Sequence, residues 1–234
     1  MKPSMPQLHT EPFVTEREWT EDGIPILTAS VSLPQPTSPC GRIGRRIGRF
    51  YRLQGQAYLR YCRRWLFPLA QAEYRAALSV SAPLPHFRAE LSYRVTYNNH
   101  GFWSLYTQSR EDTGQTLLCR HADTWDLDAG YPVAPGDCFS SRTPWKRHLL
   151  RLAEQEMERR ECAGVSAPFE ERRRALRRRF NPRNFYLTED GLAFFYPMYA
   201  VAPAAEGIPT FLLPYRDSDC PVRFPNRTDC EDLP

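Results

Sequence analysis

The chain has 234 residues, 41% hydrophobic and 25% charged, enough to bury one sizeable core and too apolar for a disordered charged tail. Its 31 basic and 27 acidic residues give a formal charge of +4, too small to demand a polyanionic partner. No apolar run reaches the roughly 18–20 residues that span a bilayer.

Residues 1–22 are polar, Pro-interrupted and unpatterned, and read as a loose leader. From Ile24 to Leu33 the period becomes two: Leu27, Ala29, Val31 and Leu33 share one face opposite Thr28, Ser30 and Ser32, which predicts a strand ended by the proline-rich stretch from Pro34 to Pro39. A helix follows. Ile43, Ile47, Phe50, Tyr51, Tyr58, Tyr61, Cys62 and Trp65 build an apolar stripe, and the arginines between Arg42 and Arg64 fall mostly elsewhere. Gly44, Gly48 and Gly55 weaken that helix by up to ~1 kcal/mol each relative to alanine, so its helicity must come from packing. Pro68 is expected to kink or end it, with a continuation over Leu69–Ala77.

The stretch from His86 to Tyr97 alternates strictly, predicting a long strand buried on one side. The turn Asn98-Asn99-His100-Gly101 leads to a partner strand over Phe102–Arg110, and Glu111–Gly114 turns into a third over Thr116–Leu127. Helices are expected over Arg142–Cys162 and Pro168–Phe180, then a hairpin of Phe185–Leu187 with Leu192–Tyr196, and a last strand over Pro209–Tyr215.

Seven cysteines at irregular gaps, with no Cys-x-x-Cys, argue for reduced thiols and against a closed zinc site; a bridge between Cys220 and Cys230 is the alternative in an oxidising compartment. His121 and Asp123 share a strand face and could do acid–base work with Glu90, but a solvated face is the simpler reading. The six arginines among residues 172–179 wrap around their helix and have Glu158, Glu161, Glu170 and Glu171 nearby, which argues against nucleic acid. Tyr93, Tyr97, Trp103, Tyr106 and Trp125 are expected to fill the layer between sheet and helices. Recognition falls instead to the turns, with Asn98, Asn99, His100, Asp112, Thr113 and Gly114 as candidate ligand-binding residues. No P-loop, Gly-x-Ser-x-Gly or dinucleotide fingerprint occurs, so no catalytic residue, cofactor or metal is expected.

The segment Phe185-Tyr186-Leu187-Thr188-Glu189-Asp190-Gly191-Leu192-Ala193-Phe194-Phe195, continued by Tyr199-Ala200-Val201-Ala202-Pro203, is similar to the most specific hairpin of the bacterial RsiV/PdaC-like domain family. Leu91–Tyr97 with Trp103-Ser104-Leu105, and Trp125–Gly130 before Gly136–Phe139, extend the resemblance over about Ile24 to Tyr215. Thr113-Gly114-Gln115-Thr116 stands where the family often has Gly-Gly-Ala-His. The resemblance implies a non-catalytic recognition domain, since the similar domain of RsiV binds lysozyme. The implied partner is a lysozyme-like protein or peptidoglycan. The alternatives are an interaction module of the same fold or an undescribed hydrolase. The family's members are extracytoplasmic, whereas this chain as written opens with no export signal and is expected in the cytoplasm. Fold class is α+β: an antiparallel sheet with long helices on one face, over residues 23–218 in sub-lobes 23–130 and 131–218, followed by a polar tail over 219–234.

Overall fold

Twelve residues expected to be loose form a strand. In the computed structural model, which describes residues 7–37, 41–164, 171–217 and 219–223, β1 (Thr10–Glu21) pairs antiparallel with β2 (Ile24–Pro36) through a turn at Asp22 and Gly23, both at positive φ. None of the residues of β1 is buried, so it lacks apolar alternation. Backbone bonds to β2 hold it, and its charged side chains suit an exposed sheet edge. The strand β2 also runs past its expected end at Leu33 to Pro36, with Pro34 opposite Pro12.

The chain then forms a helical run of 39 residues: α1 (Gly41–Tyr61), a π turn (Cys62–Leu66) and α2 (Phe67–Ser79). Pro68 does not end it. The Phe67 N–H bonds Cys62 O, five residues back, and this wider turn receives a proline that would otherwise clash with the carbonyl four residues earlier. The helix carries the chain back so that β3 (Phe87–Asn99) pairs parallel to β2, Thr28 opposite Arg88 and Ser30 opposite Glu90. The meander continues through β4 (Phe102–Asp112), β5 (Thr116–Asp126) and the short β6 (Tyr131–Pro132). The six strands follow the order β1-β2-β3-β4-β5-β6. The fold is thus α+β as expected, with one parallel pair in an otherwise antiparallel arrangement, because a tight turn cannot join parallel neighbours.

Two compact units divide the chain, and the division runs through strands: among the described residues, one holds 8–94 and 107–119, the other 95–106 and those from 120 onward. In the first, Ile26, Leu27, Ala29, Phe87 and Ala89 pack against Cys62, Leu66, Ala70 and Tyr74. Gly48 and Gly55 of α1 face β2. A Cβ on Gly55 would lie 3.1 Å from Leu33 Cδ1 and 3.2 Å from Val31 Cγ1, so the positions that weaken the helix in isolation let it approach the strand.

In the second unit, α3 (Trp145–Cys162) and α4 (Arg172–Arg179) cover a three-stranded antiparallel sheet of β7 (Phe185–Leu187), β8 (Gly191–Phe195) and β9 (Thr210–Pro214). Residues 165–170, the start of the helix expected from Pro168, lie outside the described residues, as do Cys40, Cys230 and most of the tail. Met157, Leu176, Phe194, Tyr196, Phe211 and Leu213 make up much of the core. Ser104 on β4 is fully buried, accepts the Leu187 N–H at 2.9 Å and bonds the Thr124 hydroxyl at 2.8 Å, which ties β7 to β4 and β5. Tyr97, Trp103 and Trp125 are buried as expected.

Gly191 has no room for a side chain: a Cβ would stand 2.2 Å from Leu213 O. Gly191→Ala is expected to destabilise the protein by about 1–3 kcal/mol, because the atoms it meets are backbone and cannot swing away. Thermal unfolding measures this; an unchanged midpoint would show that β8 and β9 are not held at this spacing.

Candidate functional site

Period two sets the two faces of β3. Phe87, Ala89 and Leu91 turn inward, so Arg88 and Glu90 turn outward beside Thr28 and Ser30 of β2. With His86 before β3 and Arg110 and Asp112 at the end of β4, they line an open groove of about 740 Å³ within the first unit. The Thr28 hydroxyl bonds His86 Nε2 at 2.8 Å. Arg110 Nε donates to Asp112 Oδ2 at 2.9 Å, and the Thr116 hydroxyl donates to Asp112 Oδ1 at 2.5 Å. Those two bonds hold the Asp112 carboxyl below its ordinary range, so it stays ionised and accepting. The groove therefore offers guanidinium and hydroxyl donors alongside two carboxyl groups.

Glu111 points to the other face of β4 and is buried. The Tyr61 hydroxyl donates to its Oε2 at 3.1 Å. Burial pushes the Glu111 carboxyl up, and it pushes Tyr61 up to about 12 with help from the Glu111 charge. The Cys62 thiol rises to about 12 through burial and the same carboxylate, which leaves it a poor nucleophile. Burial likewise raises Cys119, Cys138 and Cys220. Among the described residues, the cysteines at 62, 119, 138, 162 and 220 form no disulfide. No group of three metal-ligating side chains occurs among the described residues.

Of the candidate turn residues, Asp112 lies in the groove, with Thr113 and Gly114 in the turn beyond it. Asn98, Asn99 and His100 belong to the other unit, at the opposite end of β4. His100 and Gly101 have positive φ, Asn99 Oδ1 accepts the His100 N–H at 2.8 Å, and Tyr97 Oη bonds His100 Nδ1 at 2.5 Å. The turn is also tied to the end of β5, where Gly101 O accepts the Leu127 N–H at 2.8 Å. His121 is exposed and Asp123 half-buried on β5, while Glu90 lies in the groove of the first unit. Thr28, Ser30, His86, Arg88, Glu90 and Arg110 were not singled out as one site from the sequence. Alternation marked the outward positions on β3, but only the parallel pairing places β2 beside them.

The second unit has its own groove of about 460 Å³ between α3 and β9. There Arg160 donates to Thr210 O at 3.1 Å and lies 5.3 Å from the centre of the Phe211 ring. Bonds from Arg159 and Arg160 pull the Glu156 carboxyl down to about 2. Glutamates offset part of the α4 charge, as expected: Arg172 pairs with Glu161, Arg173 with Glu154 and Glu158, and Arg174 with Glu171.

Residues 137–216, which contain α3, α4 and β7–β9, match the model of a family described as "Protein of unknown function (DUF3298)". The fold is similar to a DUF3298 family member from Bacteroides fragilis, at 18% identity and a TM-score of 0.63 over 91% of this chain and 92% of that one. It is also similar to a DUF3298 family protein from Pseudomonas aeruginosa, at 16% identity and a TM-score of 0.55 over 94% and 98%. No curated protein matches the chain.

The raised Glu111 carboxyl sets a pH dependence. Its folded pKa lies above the unfolded one, so the folded state holds the proton more tightly; the stability this adds is complete below the unfolded pKa and is lost as pH rises through the folded value. Glu111→Gln keeps an acceptor for Tyr61 and removes the ionisation. It is expected to be at least as stable as the parent at neutral pH and to lose that slope, as read by denaturant unfolding across pH.

Proposed function

We propose that this chain is a non-catalytic recognition domain of the RsiV/PdaC-like kind, and that the groove on β2, β3 and β4 takes a wall glycan. The groove's chemistry carries the reading. Arg88, Arg110, Glu90, Asp112 and Ser30 present paired donors and acceptors along an open, polar trough. Peptidoglycan matches that surface, with sugar hydroxyls and amides to bond the carboxylates and peptide carboxylates to meet the guanidiniums. The Arg110–Asp112 pair holds its charge across the neutral range, which suits binding and gives no proton to transfer.

A second reading rests on a different observation. Glu16 and Glu18 of β1 stand opposite Ser30 and Thr28, so the hairpin beside the groove exposes acids suited to a basic, lysozyme-like protein.

Retention of the full chain on insoluble peptidoglycan and on immobilised lysozyme separates the two. Arg110→Ala with Glu90→Ala is expected to weaken glycan retention about tenfold or more, at the typical strength of charged hydrogen bonds. Glu16→Lys with Glu18→Lys should instead abolish lysozyme retention if the protein is the ligand. Absence from both at micromolar chain overturns the proposal and leaves an interaction module of the same fold.

A further inference from the structure

The solvent face of the long helix is strongly basic over most of its length. Residues 41–72 contain eight arginines and no acid, leaving 23 basic residues against 27 acidic in the rest of the chain. At 3.6 residues per turn, Arg42, Arg45, Arg46, Arg49, Arg52 and Arg60 fall within about 120° of one another. They lie opposite the buried Gly44, Ile47, Gly48, Tyr51 and Gly55, and Arg63 and Arg64 extend the exposed row through the π turn. The row is about 33 Å long at the rise of an α-helix. In α4, by comparison, Arg172 and Arg173 meet glutamates of α3.

Large apolar side chains are exposed along the same helix: Trp65 at 63%, Leu53 at 51%, Leu69 at 46% and Phe50 at 43%. The Arg64 guanidinium stands 5.8 Å from the Trp65 ring centre. Phosphates alone would match the arginines, but a nucleic-acid backbone gives no return for outward leucine and phenylalanine. A second copy of the helix would set like charges against each other. An anionic bilayer offers both components: headgroup phosphates for guanidiniums, and an acyl boundary for Trp65, Leu53, Leu69 and Phe50. No helix of the described residues is long and apolar enough to cross a membrane, so this one would lie in the interface.

We infer that the outer face of the helix spanning Gly41–Ser79 is a peripheral docking surface for anionic phospholipid bilayers. The arginine row supplies the attraction, and the exposed aromatic and leucine side chains supply shallow insertion. It is separate from the groove reading and stands without it.

The test sediments the full chain with vesicles of equimolar phosphatidylglycerol and phosphatidylcholine, and with phosphatidylcholine alone. Binding is expected to the anionic vesicles only, to fall as salt is added, and to shift tryptophan emission to the blue, since Trp65 is exposed while Trp103 and Trp125 are buried. Arg45→Gln with Arg49→Gln and Arg60→Gln, all at exposed positions, is expected to weaken partitioning about tenfold or more, at ~1 kcal/mol per arginine near such a surface. An unshifted thermal midpoint would show that this variant is folded. Leu53→Ser with Leu69→Ser should reduce binding to the same vesicles while keeping the salt dependence. Absence of binding to anionic vesicles, equal binding to both kinds, or full binding by the arginine variant overturns the proposal. So does capture of duplex DNA, lost in the arginine variant, by a chain that leaves vesicles in solution.

Discussion

The first unit depends on one close approach, the glycine face of α1 against β2. Parallel neighbours cannot be joined by a hairpin, so the chain must leave β2, cross over the sheet and return in the same direction. The crossover here is a single long helix, and it needs a backbone lying almost directly on Val31 and Leu33. A side chain at Gly55 would fill the 3.1 Å and 3.2 Å gaps to those residues. Glycine therefore costs intrinsic helicity and returns it as contact, consistent with the principle that tertiary packing stabilises most protein helices. The π turn serves the same end, letting Pro68 sit inside the run so that Ala70 and Tyr74 reach the core beyond it.

That approach also creates the two surfaces of interest. Once Phe87, Ala89 and Leu91 turn to the helix, Arg88 and Glu90 must face solvent, and the parallel register sets Thr28 and Ser30 beside them. The polar groove is the reverse side of a buried face. The arginine row has the same origin: with glycine, isoleucine and tyrosine turned to the strand, the charged side chains have only the outer half of the cylinder. Glu111, on the opposite face of β4 from the groove, faces inward and accepts a hydrogen bond from Tyr61.

The second unit rests on different contacts. Ser104 is small and polar in the middle of an apolar strand, a position alternation alone would give to a hydrophobe. Its hydroxyl receives the Leu187 N–H and so anchors the β7–β9 sheet. Phe194 and Phe211 stack with ring centres 5.3 Å apart, Tyr196 meets both edge-on at 5.9–6.5 Å, and Arg160 joins α3 to the Thr210 carbonyl. The span 137–216 that matches the DUF3298 model falls within this unit, while the polar groove lies in the other.

The amino-acid sequence by itself determined the meander, since His86–Tyr97 alternates without a break and His100-Gly101 accepts the positive φ of a tight turn. It likewise determined the long amphipathic helix, both later helices and the β7–β8 hairpin, each through local periodicity that acts within a few residues. Three things were decided by tertiary structure. The strand β1 exists because β2 supplies its hydrogen bonds, a backbone contact that leaves no apolar alternation on a strand without a fully buried residue. The crossover and its parallel register depend on how closely helix and strand can approach, which rests on space that a list of side chains does not express. The groove followed from that register, for Ser30 and Glu90 are distant along the chain and become neighbours only when β2 and β3 run the same way.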